Sequence, residues 1–332
     1  MVSRGPTPKV TIMIPTYNHA AFLRAAIESA LAQGYANLEV VVGDDASTDE
    51  TSDIVATLSD PRLKVVRNPI NLGRTANYRN LLYHHATGDY VVNLDGDDYF
   101  TDPTFIAAAV NCLEIESESE VVMVIARATT TNGPEGSASA LPPWDACSGL
   151  QILARLPRKE YLLWHLATLY SRKHALEIGF YRSSAISSDW ESLYRLSLRG
   201  AVRYLDKRVG VWRFHGSNES ATTDAAKQLA NISIWTTVYA DAVAFGMNPM
   251  RARLACARCE SLFAVVGCVR VSRTGNVALR AFAAQVVHAY PLASVLLVLT
   301  PHHVARLTLA VLGYYRSSRA TRGRDVSASS QD

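Results

Sequence analysis

The chain has 332 residues, 48% apolar and 19% charged with a formal net charge of +3, which suits a globular protein of one large domain plus an appendage. From Gly246 onward there are 11 Arg, no Lys and 3 acids, so that part carries +8 while the first 245 residues carry −5, and two jobs are expected of the two parts. Five scattered cysteines argue against a disulfide framework and for a reducing compartment, no run of 18 apolar residues offers a transmembrane helix, and VTIMIP is too short for a signal peptide.

VTIMIP (10 to 15) reads as a buried strand, and Phe22, Ala26, Ile27, Ala30 and Leu31 recur at helical spacing through Gln33. LEVVVGD (38 to 44) is the next strand and Thr48 to Leu58 the next helix. LKVVR (63 to 67) and Thr75 to Ala86 repeat the alternation. YVVNL (90 to 94) is the fourth strand, Pro103 is expected in the first turn of a helix, and VVMVIA (121 to 126) is the fifth strand. Residues 129 to 149 form a polar, Gly/Ser/Pro-rich break, read either as a loop near the site or as a surface insertion. Beyond Thr223 the pattern turns helical and alanine-rich, and the Cys256–Cys259 pair there reads as ordinary buried cysteine. Alternating strands and helices with short connections predict βαβ units and a mainly parallel sheet. The organisation expected is a domain over 1–222, a helical region over 223–325 and a disordered tail over 326–332.

In such sheets ligands collect at the carboxyl ends of the strands, and the polar residues concentrate there. Thr16, Tyr17 and Asn18 follow the first strand, Asp44 and Asp45 the second, and Asp95, Asp97 and Asp98 the fourth. At about 5 Å each pair of these last three repels by roughly 3 kcal/mol, so the cluster asks for a cation unless it is a solvated turn. Gly-x-Gly-x-x-Gly and Walker loops are both missing, which disfavours a dinucleotide site and a P-loop. Hard oxygen ligands suit Mg²⁺ or Mn²⁺, and a diphosphate is the natural third party.

VTIMIPTYN, VVGDDASTDET, NLGRTANYRN, GDYVVNLDGDD, SSDWESLYRLSLRG and YLDKRVGVWRFHGSNES stand in the order of the motifs of glycosyltransferase family 2, which the chain resembles over about residues 8 to 220. The resemblance implies a GT-A fold, a Rossmann-like sheet flanked by helices. It also implies transfer of a sugar, with inversion, from a nucleotide-diphosphate donor to a glycan or polyprenyl-diphosphate-linked acceptor. Pro15, Thr16 and Tyr17 match the strand that lines the nucleotide pocket, and Asp45 the carboxylate that meets the base, which favours UDP. Asn71, Gly73 and Arg79 match a signature near the donor. Asp95, Gly96 and Asp97 match the DXD motif, with metal contact assigned to Asp97 or Asp98 and ribose or sugar contact to Asp95. Asp189 matches the catalytic base, although Ser188 replaces the family's usual Glu before it. Arg213 and His215 match a segment beside the diphosphate, where His215 meets a phosphate oxygen or the metal.

Blander roles compete at several of these positions: helix capping for Asp44, Asp45 and Asp189, with Ser47 or Thr48 as rival caps of the second helix, a surface ion pair for Arg79, and a satisfied structural histidine for His215. The apolar stretches of 280 to 324, with Tyr314, Tyr315 and four arginines after them, read either as an interfacial pair on anionic membrane or as an appendage packed on the domain or a second subunit. The setting expected is cytoplasmic, peripheral at the inner face of the membrane, in bacterial envelope polysaccharide assembly, with no nucleic-acid partner. Two rivals remain: a haloacid-dehalogenase-like phosphatase, whose DxD the DGDD imitates, and an inactive sugar-nucleotide or glycan-binding scaffold.

Overall fold

The computed structural model describes residues 7–113, 120–131, 142, 145–215 and 218–300. Most of the polar break at 129–149, the arginines beyond Thr300 and the 326–332 tail lie outside them. The chain divides into two units: residues 1–184, 188–215 and 241–247 form one, and 185–187, 216–240 and 248–332 the other.

The first unit opens with β1 (Val10–Thr16), α1 (Ala20–Leu31), β2 (Leu38–Asp44), α2 (Thr51–Ala56), β3 (Leu63–Arg67) and α3 (Arg74–Asn80). There follow β4 (Tyr90–Asn93), β5 (Tyr99–Phe100), α4 (Phe105–Leu113), β6 (Val121–Thr130), β7 (Ala146–Ser148) and α5 (Gly149–Arg155). It closes with β8 (Thr168–Ser171), α6 (Arg172–Glu177), α7 (Ser188–Ser197) and β9 (Ala201–Trp212). Among the described residues the strands form one sheet, ordered β3-β2-β1-β4-β8-β6-β9-β5, with β7 beside β9.

β1, β2, β3 and β4 are parallel, as expected. Every residue of β1 is buried, which is why VTIMIP reads as an unbroken apolar run. The chain leaves β1 toward β2 and β3 on one side and returns to β4 on the other. The crevice between such strands is where ligands bind in open α/β sheets. Register sets Thr16 beside Asp44 and Met13 beside Asn93, so the polar ends of three strands stand side by side.

Beyond β4 the sheet becomes mixed: β8 is antiparallel to both β4 and β6, and β5 and β7 are antiparallel to β9. α1 covers one face by burying Leu23, Ala26, Ile27 and Ala30, the i, i+3, i+4, i+7 stripe of an amphipathic helix. α7 packs by an ionic route. Glu191 is fully buried and takes Arg195 at 3.3 Å and Arg182 at 3.1 Å, and Arg195 reaches Asp241 at 2.7 Å. Buried charges of this kind persist only when each has a partner.

Several boundaries differ from expectation. The second helix begins at Thr51 rather than Thr48, because Asp44 and Asn18 hold the amides of Ser47 and Thr48 in a loop and Ala46 adopts φ +60°. Asp49 accepts the Thr51 amide at the start of that helix, so none of Asp44, Asp45, Ser47 and Thr48 caps it. The third helix passes into a wider π turn at Leu81–His85. The fourth begins at Phe105, leaving Pro103 in the turn before it, where Asp102 accepts the Thr104 amide. The fifth strand runs on to Thr130.

The helical region holds α8 (Ala225–Ile232), α9 (Ile234–Ala244), α10 (Pro249–Val271), α11 (Asn276–Ala289) and α12 (Pro291–Leu299). Asn248 caps α10 by accepting from Met250 and Arg251, with Pro249 in the first turn. Cys256, Cys259 and Cys268 are buried on α10, and burial pushes the Cys256 thiol up to about 12, as inert packing cysteines require. No single described helix is long and apolar enough to cross a membrane. α11 and α12 bend by 112° at their junction and leave Val277, Val287, Val295, Val298 and Leu299 exposed.

The seating of α5 against α7 has a checkable weak point. A Cβ at Gly149 would lie 2.3 Å from the Ser197 carbonyl oxygen, a backbone atom with nowhere to swing. Gly149→Ala is expected to cost about 1–3 kcal/mol, read as a lower midpoint in urea unfolding with an unchanged slope.

Candidate active site

The acidic turn after β4 is the centre of the site. One oxygen each of Asp95, Asp97 and Asp98 lies within 4.8 Å of the others. The turn sits on the end of β1, where the Gly96 amide donates to the Pro15 carbonyl at 3.0 Å. A Cβ at Gly96 would fall 2.7 Å from Thr16 Oγ1 and 3.2 Å from His19 Nδ1, so only glycine lets the turn lie this close. Both of those polar atoms are buried without a hydrogen-bond partner among the described residues.

The far end of β9 closes over the same turn. The Arg213 amide donates to Asp98 Oδ1 at 2.8 Å, and its guanidinium donates to the Asp97 carbonyl at 3.2 Å while lying over the Tyr99 ring at 4.4 Å. His215 Nε2 stands 2.8 Å from Asp97 Oδ2, with its ring stacked on Phe22 at 5.1 Å. Asp98 is only 1% exposed. Burial first, and then the charges of Asp97 and Asp95, push its carboxyl well above the usual carboxylate range. A divalent cation would remove that penalty, and three carboxylates with one imidazole are a donor set that suits Mn²⁺ or Mg²⁺.

Asp45 is buried, and its oxygens accept from the amides of Leu72 and Gly73, both at 2.9 Å, and from Asn68 Nδ2 at 2.8 Å. Asn71 Oδ1 also takes the Gly73 amide, and Gly73 turns with φ +87°. Asp45, Asn71 and Gly73 are therefore one hydrogen-bonded loop. Pro15 and Thr16 are buried above it, whereas Tyr17 is 43% exposed. Arg79 goes elsewhere: it is exposed, with its guanidinium over Tyr83 at 4.8 Å. Arg74, on the same helix, lies over the Tyr78 ring at 5.5 Å. Burial and the charge of Asp95 raise the Tyr78 phenol well above its ordinary value, Arg74 opposes the rise and Asp189 adds to it.

Asp189 lies half-buried in the first turn of α7, a favourable place for a carboxylate. It is inside the helix, so the capping role does not apply, and among the described residues no hydrogen bond or ion pair engages it. Ser188, in the position of the family's Glu, is buried and meets Thr75 Oγ1 at 3.2 Å. Sequence reasoning passed over Arg74, Tyr78, Asn93, His165 and Tyr181. The one signal for them was Asn93, a polar residue closing an otherwise apolar strand.

Residues 11–179, just over half of the chain, match the family model described as glycosyl transferase family 2. The chain belongs to glycosyl transferase family 2. A family relative, the Escherichia coli UDP-Glc:alpha-D-GlcNAc-diphosphoundecaprenol beta-1,3-glucosyltransferase WfaP, is 38% identical over 107 residues, which is 32% of this chain and 42% of that protein. The matched part thus spans less than half of that relative's length. Staphylococcus aureus TarS, solved with UDP-GlcNAc, superposes with a TM-score of 0.63 at 17% identity, covering 93% of this chain and 92% of the other. The mannosyltransferase PcManGT from Pyrobaculum calidifontis, solved with GDP-Man and Mn²⁺, gives 0.55 at 20% identity, covering 96% and 88%. These likenesses establish the GT-A fold.

The raised pKa of Asp98 predicts how metal and pH act together. Its folded pKa lies above its unfolded one, so without a cation its proton supports the fold at low pH and that support is lost as pH rises toward the folded value. Mn²⁺ is expected to raise the Tm more at about pH 7.5 than at about pH 5.5, releasing a proton as it binds. In Asp98→Asn, which keeps the acceptor for Arg213, differential scanning fluorimetry should find that pH-dependent increment gone.

Proposed function

We propose that this family member is an inverting glycosyltransferase that moves a sugar from a nucleotide-diphosphate donor, UDP-linked in the first instance, to an acceptor hydroxyl. The observation that carries the reading is the convergence of two carboxylate sets: the acidic turn Asp95–Asp98 at the end of β4, and Asp189, unengaged on the first turn of α7. Both Asp95 and Asp189 act electrostatically on the buried Tyr78 and the partly exposed His165 beside it.

Asp97 and Asp98 would hold the divalent cation, with His215 against Asp97. When bound, that ion neutralises charge growing on the departing diphosphate. Asp95 would accept from a ribose or sugar hydroxyl, and Arg213 would add positive charge beside the phosphates. Pro15, Thr16 and Tyr17 would line the nucleotide, and the loop of Asp45, Asn71 and Gly73 would border the base. Arg79 was expected near the donor; with Arg79 over Tyr83, Arg74, whose charge acts on Tyr78 and His165 together with Asp95 and Asp189, would serve on the donor side. Asp189 would take the acceptor proton as that oxygen attacks opposite the leaving group, so one displacement inverts the anomeric centre.

A polyprenyl-diphosphate-linked acceptor is supported by the E. coli relative's name. The exposed valines and Leu299 of α11 and α12, with the surplus of arginine beyond Gly246, support peripheral contact with an anionic membrane at its cytoplasmic side, in envelope polysaccharide synthesis. On this reading 1–222 is the catalytic domain and 223–325 the membrane-facing or oligomerising region.

Calorimetry with UDP, GDP and dTDP, each with and without Mn²⁺, tests the donor site. One nucleotide is expected to bind in a metal-dependent way, and Asp97→Asn should abolish that dependence. Asp189→Asn should keep donor affinity while kcat drops by roughly 10²–10⁴. Metal-independent binding, or undiminished turnover in Asp189→Asn, would sink the assignment.

A further inference from the structure

We propose that Asn93, His165 and Tyr181 form a positioning brace that keeps the donor-side carboxylate Asp95 and the base Asp189 in register, an inference that rests on the roles given to those two carboxylates above. Asp95 is held by one oxygen only. Its Oδ1 accepts from the Tyr78 hydroxyl at 2.6 Å and from Asn93 Nδ2 at 2.9 Å, and among the described residues nothing bonds Oδ2. One edge of the carboxylate is thereby pinned and the other is presented.

The Asn93 amide has a single workable orientation. A carboxylate is an acceptor only, so Nδ2 must face Asp95, and its second hydrogen then points at His165 Nδ1, 3.3 Å away. Asn93 Oδ1 is left buried without a hydrogen-bond partner, the cost of directing both hydrogens to these two neighbours. With Nδ1 accepting, the neutral His165 ring carries its proton on Nε2 and donates to the Tyr181 hydroxyl at 2.6 Å. Tyr181 in turn meets the Tyr170 hydroxyl on β8 at 3.3 Å. The charge on Asp95 thus dictates a histidine tautomer through Asn93.

Tyr181 then ties this chain to the base helix. Its backbone sits at φ +58°, a left-handed conformation that a bulky aromatic adopts only when its surroundings impose it. Its amide donates to Ser192 Oγ at 2.8 Å, and Ser192 lies on α7 three residues beyond Asp189, about one helical turn away. The ring packs against Tyr78 at 5.2 Å and Phe180 at 4.7 Å. A strained residue bonded at its hydroxyl toward Asp95 and at its amide toward the Asp189 helix fixes the spacing between the two. Catalysis needs that spacing only when donor and acceptor are both bound, so the brace should govern turnover and leave nucleotide binding alone.

The test uses the full chain carrying Tyr181→Phe, which keeps the ring and removes the hydroxyl, and separately His165→Gln. Each is assayed for melting, nucleotide affinity and turnover. Both variants are expected to bind nucleotide within about twofold of wild type and to lose roughly tenfold to hundredfold in kcat. A second measurement is independent of activity: ¹⁵N imidazole NMR should find His165 in the Nε2–H tautomer, and Asp95→Asn should shift its resonances. Cooperatively folded variants with wild-type kcat, or an Nδ1–H tautomer at His165, would overturn the brace. If the wild type transfers no sugar from any donor, the glycosyltransferase reading fails, and the tautomer alone then decides on the brace.

Discussion

Repulsion among the buried carboxylates at the end of β4 is the constraint around which the site is arranged. Asp97 and Asp98 are both buried, and Asp95 stands next to them. Unpaired charges at that spacing in a low-dielectric setting would expel one another or take up protons. The chain answers from both directions. β1 offers the Pro15 carbonyl and the close floor under Gly96, and β9 returns with the Arg213 amide and His215. Asp97 and His215 are 118 positions apart, so the acidic turn is completed only when the last strand of the sheet is in place. The Arg213 amide and His215 orient Asp98 and Asp97 at an acidic turn whose three carboxylates lie within 4.8 Å of one another.

Carboxylates elsewhere in the site do a different job with the same chemistry. Asp44 accepts the Ser47 amide and the Arg67 guanidinium, and Asp45 accepts the amides of Leu72 and Gly73. Both accept backbone amides together with side-chain donors, Arg67 and Asn68, and so shape the loops that follow β2 and β3. Among the described residues Asp189 has no such hydrogen-bond or ion-pair partner. Which of these six acidic residues are tied into loops follows from where the free amides are.

Much of the fold was legible because burial on both faces leaves a plain mark. VTIMIP, LEVVVGD and YVVN could only be central strands, and the spacing of Leu23, Ala26, Ile27 and Ala30 could only be one helix face. The antiparallel place of β8 was not legible, because TLYS is short and equally buried in either direction. The second helix was read too long because Ser47 and Thr48 resemble helix starts, yet their amides go to side chains distant in sequence, a preference that local propensity does not contain. Arg79 and Arg74 lie five residues apart on α3 and so point roughly 140° apart around its axis. One lies over Tyr78 and the other over Tyr83, a division that motif spacing does not express.

By itself the sequence determined the family, the alternation of strand and helix, and the carboxyl-end position of the residues that carry the chemistry. These properties are local or periodic, and side-chain type at a given spacing expresses them. Only the tertiary structure decided which oxygen of Asp95 is pinned, that Asp45 is a loop anchor, that Arg74 lies over Tyr78 and that His165 and Tyr181 stand in the chain of hydrogen bonds from Asp95. Each of those facts depends on hydrogen-bond partners brought together from distant parts of the chain, and direction and distance between such groups exist only after the sheet has closed.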